Sequence, residues 1–366
     1  MDKKANIGTR KNYESTIANW RNFCLEKYGK ADIIPDLIED HTEEDHLTVL
    51  QEWIIFNKDL NANTVINSFS RLKMYLHYRG IKLNPIDIKQ GLDFRRGMQE
   101  EKFPLTAENI QKITDKMKDS TRIQFICQSS GLLRIGELVQ IRRKHLIISK
   151  ENIIVKLPAT ITKFNKARTT FFSKEASAML LASDHFKNLN ENDLVFGTSD
   201  NPTHTQFQNT TNSESNSEQA LVRILQRSDI NLNEKYESSG RRKVNTHSFR
   251  AFGITKLSRV DPNFAKMLAG QKGYLITEYD RIDDKSKLEL YQKYEIELTI
   301  DQHRKKDMEI ETLKEEKAEW EEERTIELQK MARKLRYQVL KDIESGDLGK
   351  KFAEQLKSQS MKVWGK

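Results

Sequence analysis

Apolar positions recur at helical spacing through roughly the first 90 residues. Tyr13, Ile17, Trp20 and Phe23 keep a three-to-four rhythm behind Thr9-Arg10-Lys11-Asn12, and Leu47, Leu50, Trp53 and Ile54 repeat it. A third run starts after Asn61-Ala62-Asn63 and passes through Ile66, Phe69, Leu72, Tyr75 and Leu76 to Gly80, with Thr64 the expected N-cap and Gly80 the expected stop. The spacing predicts several short helices over residues 9–90 with their aromatic side chains in a core. From Asp87 to Pro104 the chain is polar and reads as a connector, after which Pro104-Leu105-Thr106-Ala107-Glu108 has the form of a cap and first helical turn.

Beyond the helices that lead to Arg134, the pattern changes twice. Residues 152–157 and 167–172 are β-like runs joined across Lys163. Between Gly197 and Ser217, Ser, Thr and Asn dominate and large apolar residues are almost lacking, so a mobile loop is expected there before a helical pattern returns at Leu221–Gln226. Residues 301–344 contain no Gly or Pro, mix both charge signs and carry Leu328, Met331, Leu335, Val339 and Ile343. That pattern predicts a long helix, its first half too polar to bury and its second half bearing a stripe suited to a partner helix.

Composition narrows the function classes. A chain of 366 residues can build two domains and an extension. Mean hydropathy is −0.73 and no apolar run is long enough for a bilayer, so no membrane partner is expected. Met1-Asp2-Lys3-Lys4 leads into polar residues rather than a secretory signal. Cys24 and Cys127, the only cysteines, point to a reducing, cytoplasmic setting. The net charge of +8 is uneven: 15 basic against 15 acidic residues over 1–100, 31 against 24 over 101–300, and 16 against 15 over 301–366. The basic excess of the middle segment suits a polyanion such as DNA.

That segment also carries the candidate chemistry. Arg134 lies in Gly131-Leu132-Leu133-Arg134-Ile135-Gly136-Glu137-Leu138, an apolar helix start where a free charge is costly, with Glu137 one turn away as a partner. His247 and Arg250 in Thr246-His247-Ser248-Phe249-Arg250 share one face of any helix starting near Thr246. Paired guanidiniums can hold a phosphate, an imidazole can move a proton, and a tyrosine hydroxyl can act as nucleophile. Lys163, Lys166 and Arg168 compete for the turn between the two β-like runs, and Tyr274, Tyr279, Tyr291 and Tyr294 are the late tyrosines. His41-Thr42-Glu43-Glu44-Asp45-His46 has the wrong spacing for a closed zinc site, so no metal is expected.

In order and spacing, this set resembles the tyrosine recombinase (phage integrase) family over roughly residues 8–295. The resemblance implies a multidomain, mostly α fold: an α-helical N-terminal core-binding clamp over 1–90, a linker over 91–104, a mixed α/β catalytic domain with a small antiparallel sheet over 105–300, and a helical extension over 301–366 with a stripe suited to oligomerisation. It implies that Tyr279 is the nucleophile, with Tyr291 and Tyr294 read as packing residues of a later helix, that Arg134 and Arg250 hold the phosphate, that Lys163 and His247 handle protons, and that no cofactor is needed. Where the family has Gly-His, this chain reads Gly270-Gln271-Lys272, so Gln271 or Lys272 is the expected substitute donor. Arg10, Lys11, Asn63, Arg71, Lys73, Arg95, Arg96, Arg241, Arg242 and Lys243 are the expected DNA contacts. The implied partners are double-stranded DNA with attachment sites and further copies of the chain in a tetrameric synapse. The implied function is site-specific recombination that integrates or excises a mobile element. A fold-related accessory DNA-binding factor and a type IB topoisomerase-like enzyme are the alternatives.

Overall fold

A computed structural model describes residues 7–39, 43–97, 100–227, 229–271, 282–344, 346, 349–352 and 354–355. They form two compact units, residues 1–298 and 299–366. The first opens with five helices: α1 (Ile7–Tyr28), α2 (Ile34–Glu39), α3 (Glu43–Phe56), α4 (Ala62–Tyr78) and α5 (Pro85–Gly91). Trp20, Phe23, Trp53, Phe69, Leu72 and Leu76 are buried together, and Leu92 and Phe94 pack onto the same cluster.

Local details depart from the sequence pattern. The first helix is long, starting at Ile7. The cap of α4 is Asn61, not Thr64: its side chain accepts from the Asn63 amide, and its carbonyl accepts from the amides of Thr64 (2.8 Å) and Val65 (3.1 Å). An Asn at this point satisfies first-turn donors three residues earlier than Thr64 would. Val65, rather than Ile66, faces the core, and Ile66 is exposed. The stretch from Asp87 begins as helix α5, capped by Asn84, instead of connector.

The rest of this unit comprises α6 (Ala107–Thr114), α7 (Asp119–Ser130), α8 (Ile135–Leu138), a three-stranded sheet, then α9 (Lys174–Ala182), α10 (Asp184–Lys187), α11 (Gln206–Leu225), α12 (Thr246–Ser258), α13 (Pro262–Ala269) and α14 (Asp284–Tyr294). The sheet runs β1 (Leu146–Ser149), β2 (Asn152–Leu157) and β3 (Arg168–Phe172) in that order, antiparallel throughout, with Val155 opposite Leu146 on one side and Thr170 on the other. At the centre α12 packs on α7, where Phe125 and Phe249 stack with centroids 4.5 Å apart. Gly253 allows the approach, since a Cβ there would fall 2.1 Å from the Ser129 carbonyl oxygen.

The segment expected to be a mobile loop is helix α11 over most of its length. Thr205 accepts from the Gln208 amide while the Gln208 side chain accepts from the Thr205 amide, closing a capping box. Ser213, Ser217, Leu221 and Leu225, four apart, form its buried face. Small hydroxyls replace hydrocarbon there because neighbouring donors need acceptors. Gln124 of α7 donates to Ser217 Oγ (2.7 Å), and the amides of Thr198 and Ser199 donate to Ser213 Oγ. The second unit is dominated by α15 (Gln302–Glu344), 43 residues long.

Candidate active site

A single carboxylate organises the site. Glu137, on the short helix α8, is 3% exposed and meets three guanidiniums. Arg134 donates from Nη1 to Oε1 at 2.8 Å and from its backbone amide to Oε2 at 3.0 Å. Arg168 of β3 donates from Nη2 to Oε2 at 2.7 Å, and Arg250 Nη1 lies 3.7 Å from that oxygen. Among the described residues, one negative charge facing three positive ones leaves a surplus of positive charge in a region that water solvates poorly, which is costly until an anion arrives. Exposure grades across the cluster: the side chains are 1% exposed at Arg250, 8% at Arg168 and 26% at Arg134, so Arg134 is the arm that meets solvent.

Backbone strain and close packing hold Arg250. Leu132 has φ 53, a left-handed conformation unusual for leucine. Its carbonyl accepts from Arg250 Nη1, while Nη2 donates to the Ala269 carbonyl at 2.6 Å. Burial first, and then Arg134, draws the Arg250 guanidinium down to about 9. Burial likewise lowers Arg168, with Glu137 opposing the shift. An anion between Arg134 and Arg250 would act in Glu137's direction and favour the charged forms.

Ala269 ends α13 in a Schellman turn. Gly270, at φ 61, donates its amide to the Met267 carbonyl, and the Gln271 amide donates to the Lys266 carbonyl, both at 2.9 Å. A Cβ at Gly270 would sit 2.6 Å from Arg168 Nε, so this turn lies directly on the arginine cluster. Gln271 is exposed just beyond it. Lys272, Tyr274 and Tyr279 lie outside the described residues. Tyr291 is buried and donates its hydroxyl to the Ser130 carbonyl at 2.9 Å, and burial pushes that phenol well above its ordinary range. Tyr294 packs edge-on to Phe264. Both are packing residues, as their sequence context suggests.

His247 is exposed on the first turn of α12, whose cap Asn245 accepts from the His247 amide. Partial desolvation, then Arg250, Arg134 and Lys102, lowers the imidazole below its ordinary value, which favours its neutral form. Lys163 is exposed in the turn before β3. Its Nζ and the Arg134 guanidinium carbon each lie 5.8 Å from the Phe164 ring centroid, so this aromatic side chain brings the turn to the cluster.

Sequence reasoning overlooked Phe164 and Lys102 and weighed Arg168 only as a rival to Lys163. The structure puts Arg168 inside the cluster, not at the turn. Alternation in β3 gives no signal for it, since Thr170, Phe171 and Phe172 on both sides of the strand are buried. Arg168 Nη1 is buried with no hydrogen-bond partner among the described residues.

The expected DNA contacts differ in exposure and pairing. Lys11 lies over the Phe207 ring at 5.6 Å. Arg10, Asn63, Arg95 and Arg96 are exposed, while Arg71 and Lys73 on α4 are half-buried. Arg95 donates to the Leu60 carbonyl at 2.9 Å. Arg241, Arg242 and Lys243 form one side of a small hairpin in which Lys235 bridges Arg242. Arg242 Nε donates to Asn233 at 3.1 Å and Lys243 pairs with Glu234 at 2.6 Å, which offsets part of that cluster's charge. The hairpin tip touches the chain elsewhere: Asn61 donates to the Ser238 carbonyl, Glu100 accepts from the Glu237 and Ser238 amides, and the Phe103 amide donates to the Tyr236 hydroxyl.

No protein-family profile matches the chain, and no curated protein matches its sequence. Solved structures do match. The Tn1549 transposon integrase in complex with transposon right-end DNA aligns over 80% of this chain and 94% of its own, with a TM-score of 0.52 and 16% identity. A lambda integrase dimer bound to a COC′ core site aligns over 77% and 91%, with a TM-score of 0.50 and 14% identity. The XerH site-specific recombinase bound to difH substrate, in a pre-cleavage complex, aligns over 78% and 79%, with a TM-score of 0.50 and 15% identity. What these proteins share with this chain is the fold.

Proposed function

We propose that this chain, which has the tyrosine recombinase fold, is a site-specific DNA recombinase that cuts and rejoins duplex DNA through a 3′-phosphotyrosine intermediate. The observation that carries the reading is the positive surplus around Glu137, reached by solvent through Arg134 and flanked by His247 and Lys163. A scissile phosphate is the anion such a cluster suits, because its charge grows as phosphorus becomes five-coordinate. The solved structures with the same fold hold DNA, which supports DNA as the partner.

In this reading the Tyr279 oxygen attacks phosphorus and the bond to the 5′ oxygen breaks. The neutral imidazole of His247 takes the tyrosine proton, and Lys163 protonates the departing 5′ oxygen. Arg134 and Arg250 hold the nonbridging oxygens, and Gln271 or Lys272 adds a donor. Arg168 positions Glu137, and through it the other two guanidiniums. The phosphotyrosine keeps the energy of the broken phosphodiester, so rejoining needs no cofactor. Residues 1–90 act as a clamp, joined through residues 91–104 to a catalytic part over 105–300. Two or more copies act on paired attachment sites, integrating or excising a mobile element in the cytoplasm. The amide at Gln271 favours one other reading, a DNA-binding accessory factor with reduced catalysis.

Trapping on nicked duplexes cut from the DNA flanking the gene tests both. Covalent adducts with the unaltered chain, lost in Tyr279→Phe with binding retained, support the recombinase. Binding without adducts supports the accessory factor. Adducts that persist in Tyr279→Phe and vanish in Tyr274→Phe move the nucleophile. A need for paired sites separates recombination from type IB topoisomerase activity.

A further inference from the structure

At 100° per residue, Ile310, Leu313, Trp320, Leu328, Met331 and Leu335 fall within an arc of roughly 100° on α15. All six are 51% to 71% exposed. The apolar face therefore spans both halves of the helix, although the first half reads from sequence as a plain solvated helix. Lys317 and Arg324 interrupt the face, and Arg324 lies against the Trp320 ring, 5.0 Å from its centroid.

Charge along the helix is segregated. Residues 309–327 hold nine Glu against Lys314, Lys317 and Arg324, a net of −6, whereas residues 328–344 hold five basic residues against Asp342 and Glu344, a net of +3. One flank of the apolar face shows this most sharply. Glu316, Glu323 and Glu327 follow one another there, succeeded by Lys330, Lys334 and Lys341. Glu327 with Lys330, Glu323 with Lys334, and Glu316 with Lys341 are each symmetric about one point, between Leu328 and Gln329.

We infer that α15 pairs with α15 of a second copy of this chain, the two helices antiparallel about that point. A parallel pair would set the acidic half beside the acidic half and the basic half beside the basic half, whereas an antiparallel pair turns the same flanks toward each other and brings each Glu of the flank level with a Lys of the partner. The paired stretch, residues 316–341, is about 39 Å long. Leu328 of each copy lies beside the dyad, with Met331 and Leu335 reaching toward the level of Arg324 and Trp320 across it. The inference is independent of the chemistry assigned to the arginine cluster.

Sedimentation equilibrium of the full chain without DNA tests it. The unaltered chain is expected to be a dimer. Glu316→Lys, Glu323→Lys and Glu327→Lys together should weaken association by at least about tenfold. Adding Lys330→Glu, Lys334→Glu and Lys341→Glu to the same chain should restore it, because the full exchange rebuilds every antiparallel pair. Glu and Lys are both strong helix formers, so circular dichroism should be unchanged throughout. Orientation is read by disulfide cross-linking, with Cys24 and Cys127 buried in the native chain. A Glu323→Cys chain mixed with a Lys334→Cys chain should link across the two, and neither should link to itself. A monomeric unaltered chain, failure of the sixfold exchange to restore association, or self-linking of Glu323→Cys overturns the inference.

Discussion

The helical region over residues 7–94 and the region around Glu137 bury different things. The first encloses hydrocarbon: Trp20, Phe23, Trp53 and Phe69 fill it. Its principal polar cluster is locally paired, with Trp53 Nε1 donating to Asn19, Asn19 to Asn57 and Asn57 to the Trp53 carbonyl. The second encloses Glu137, Arg168 and Arg250, whose charges do not cancel among the described residues. Burying a tryptophan stabilises a fold, whereas burying unbalanced guanidiniums costs free energy that packing elsewhere must offset. The contrast teaches where stability and chemistry have been separated: one interior holds the chain together, and the other is poised for an anion.

The largest expected effects are matched in size and opposite in kind. Among the described residues Glu137 is the one carboxylate paired with these arginines, so Glu137→Gln should cost about 3–5 kcal/mol of stability, measured by urea denaturation. Added sulfate should recover part of it by supplying the missing charge. Trp53→Ala should cost about 3–5 kcal/mol through a cavity and a lost hydrogen bond, with no more response to sulfate than the unaltered chain shows. Equal sulfate responses in the two variants would erase the distinction between the interiors.

Arg134→Ala should lower single-turnover cleavage by about a hundredfold, the order expected for removing one preorganised charge donor. Stability should move by less than about 1 kcal/mol, since the side chain is partly exposed and Glu137 keeps Arg168 and Arg250. Near-normal cleavage would mean that the phosphate is held elsewhere.

The smallest effect concerns Glu295, a buried carboxylate away from the arginines. It accepts from Asn152 and from the Lys174 amide, and burial raises its carboxyl above the ordinary value. The folded chain thus holds that proton more tightly than the unfolded chain. Its contribution is full below about pH 4, near the unfolded value, and is lost as pH rises through the higher folded value. Glu295→Gln keeps an acceptor and loses the charge, so stability at pH 7 should be unchanged or higher by about 1 kcal/mol. The decline over that pH window should be shallower than in the unaltered chain. A variant with the same decline would assign the pH dependence to another group.

Much of the architecture was legible because helices announce themselves locally. The rhythm of Trp20 and Phe23, the cap at Thr106, the β-like runs around Lys163 and the long stretch without Gly or Pro each emerged close to their expected places. The failures were also local in origin. Thr64 and Asn61 are both good caps, and only the hydrogen bonds of the formed helix select Asn61. The first half of the α11 segment has loop composition, yet Ser213 and Ser217 face acceptor-hungry groups supplied by other parts of the chain. Strand β1 went unread because four residues give too short an alternation to separate from a turn.

For the site, the sequence by itself determined the cast and its order: Arg134 with Glu137 one turn on, a basic turn, His247 and Arg250 on one helical face, and a glycine turn before Gln271. Spacing within a helix is fixed by its own geometry, so neighbours three or four residues apart can be read directly. Only the tertiary structure decided that Arg168 shares Glu137, that Phe164 links Arg134 to Lys163, and that Arg250 is held by carbonyls of Leu132 and Ala269. Whether a charge is buried, and against what, depends on segments that meet from distant parts of the chain, and no local pattern encodes that meeting.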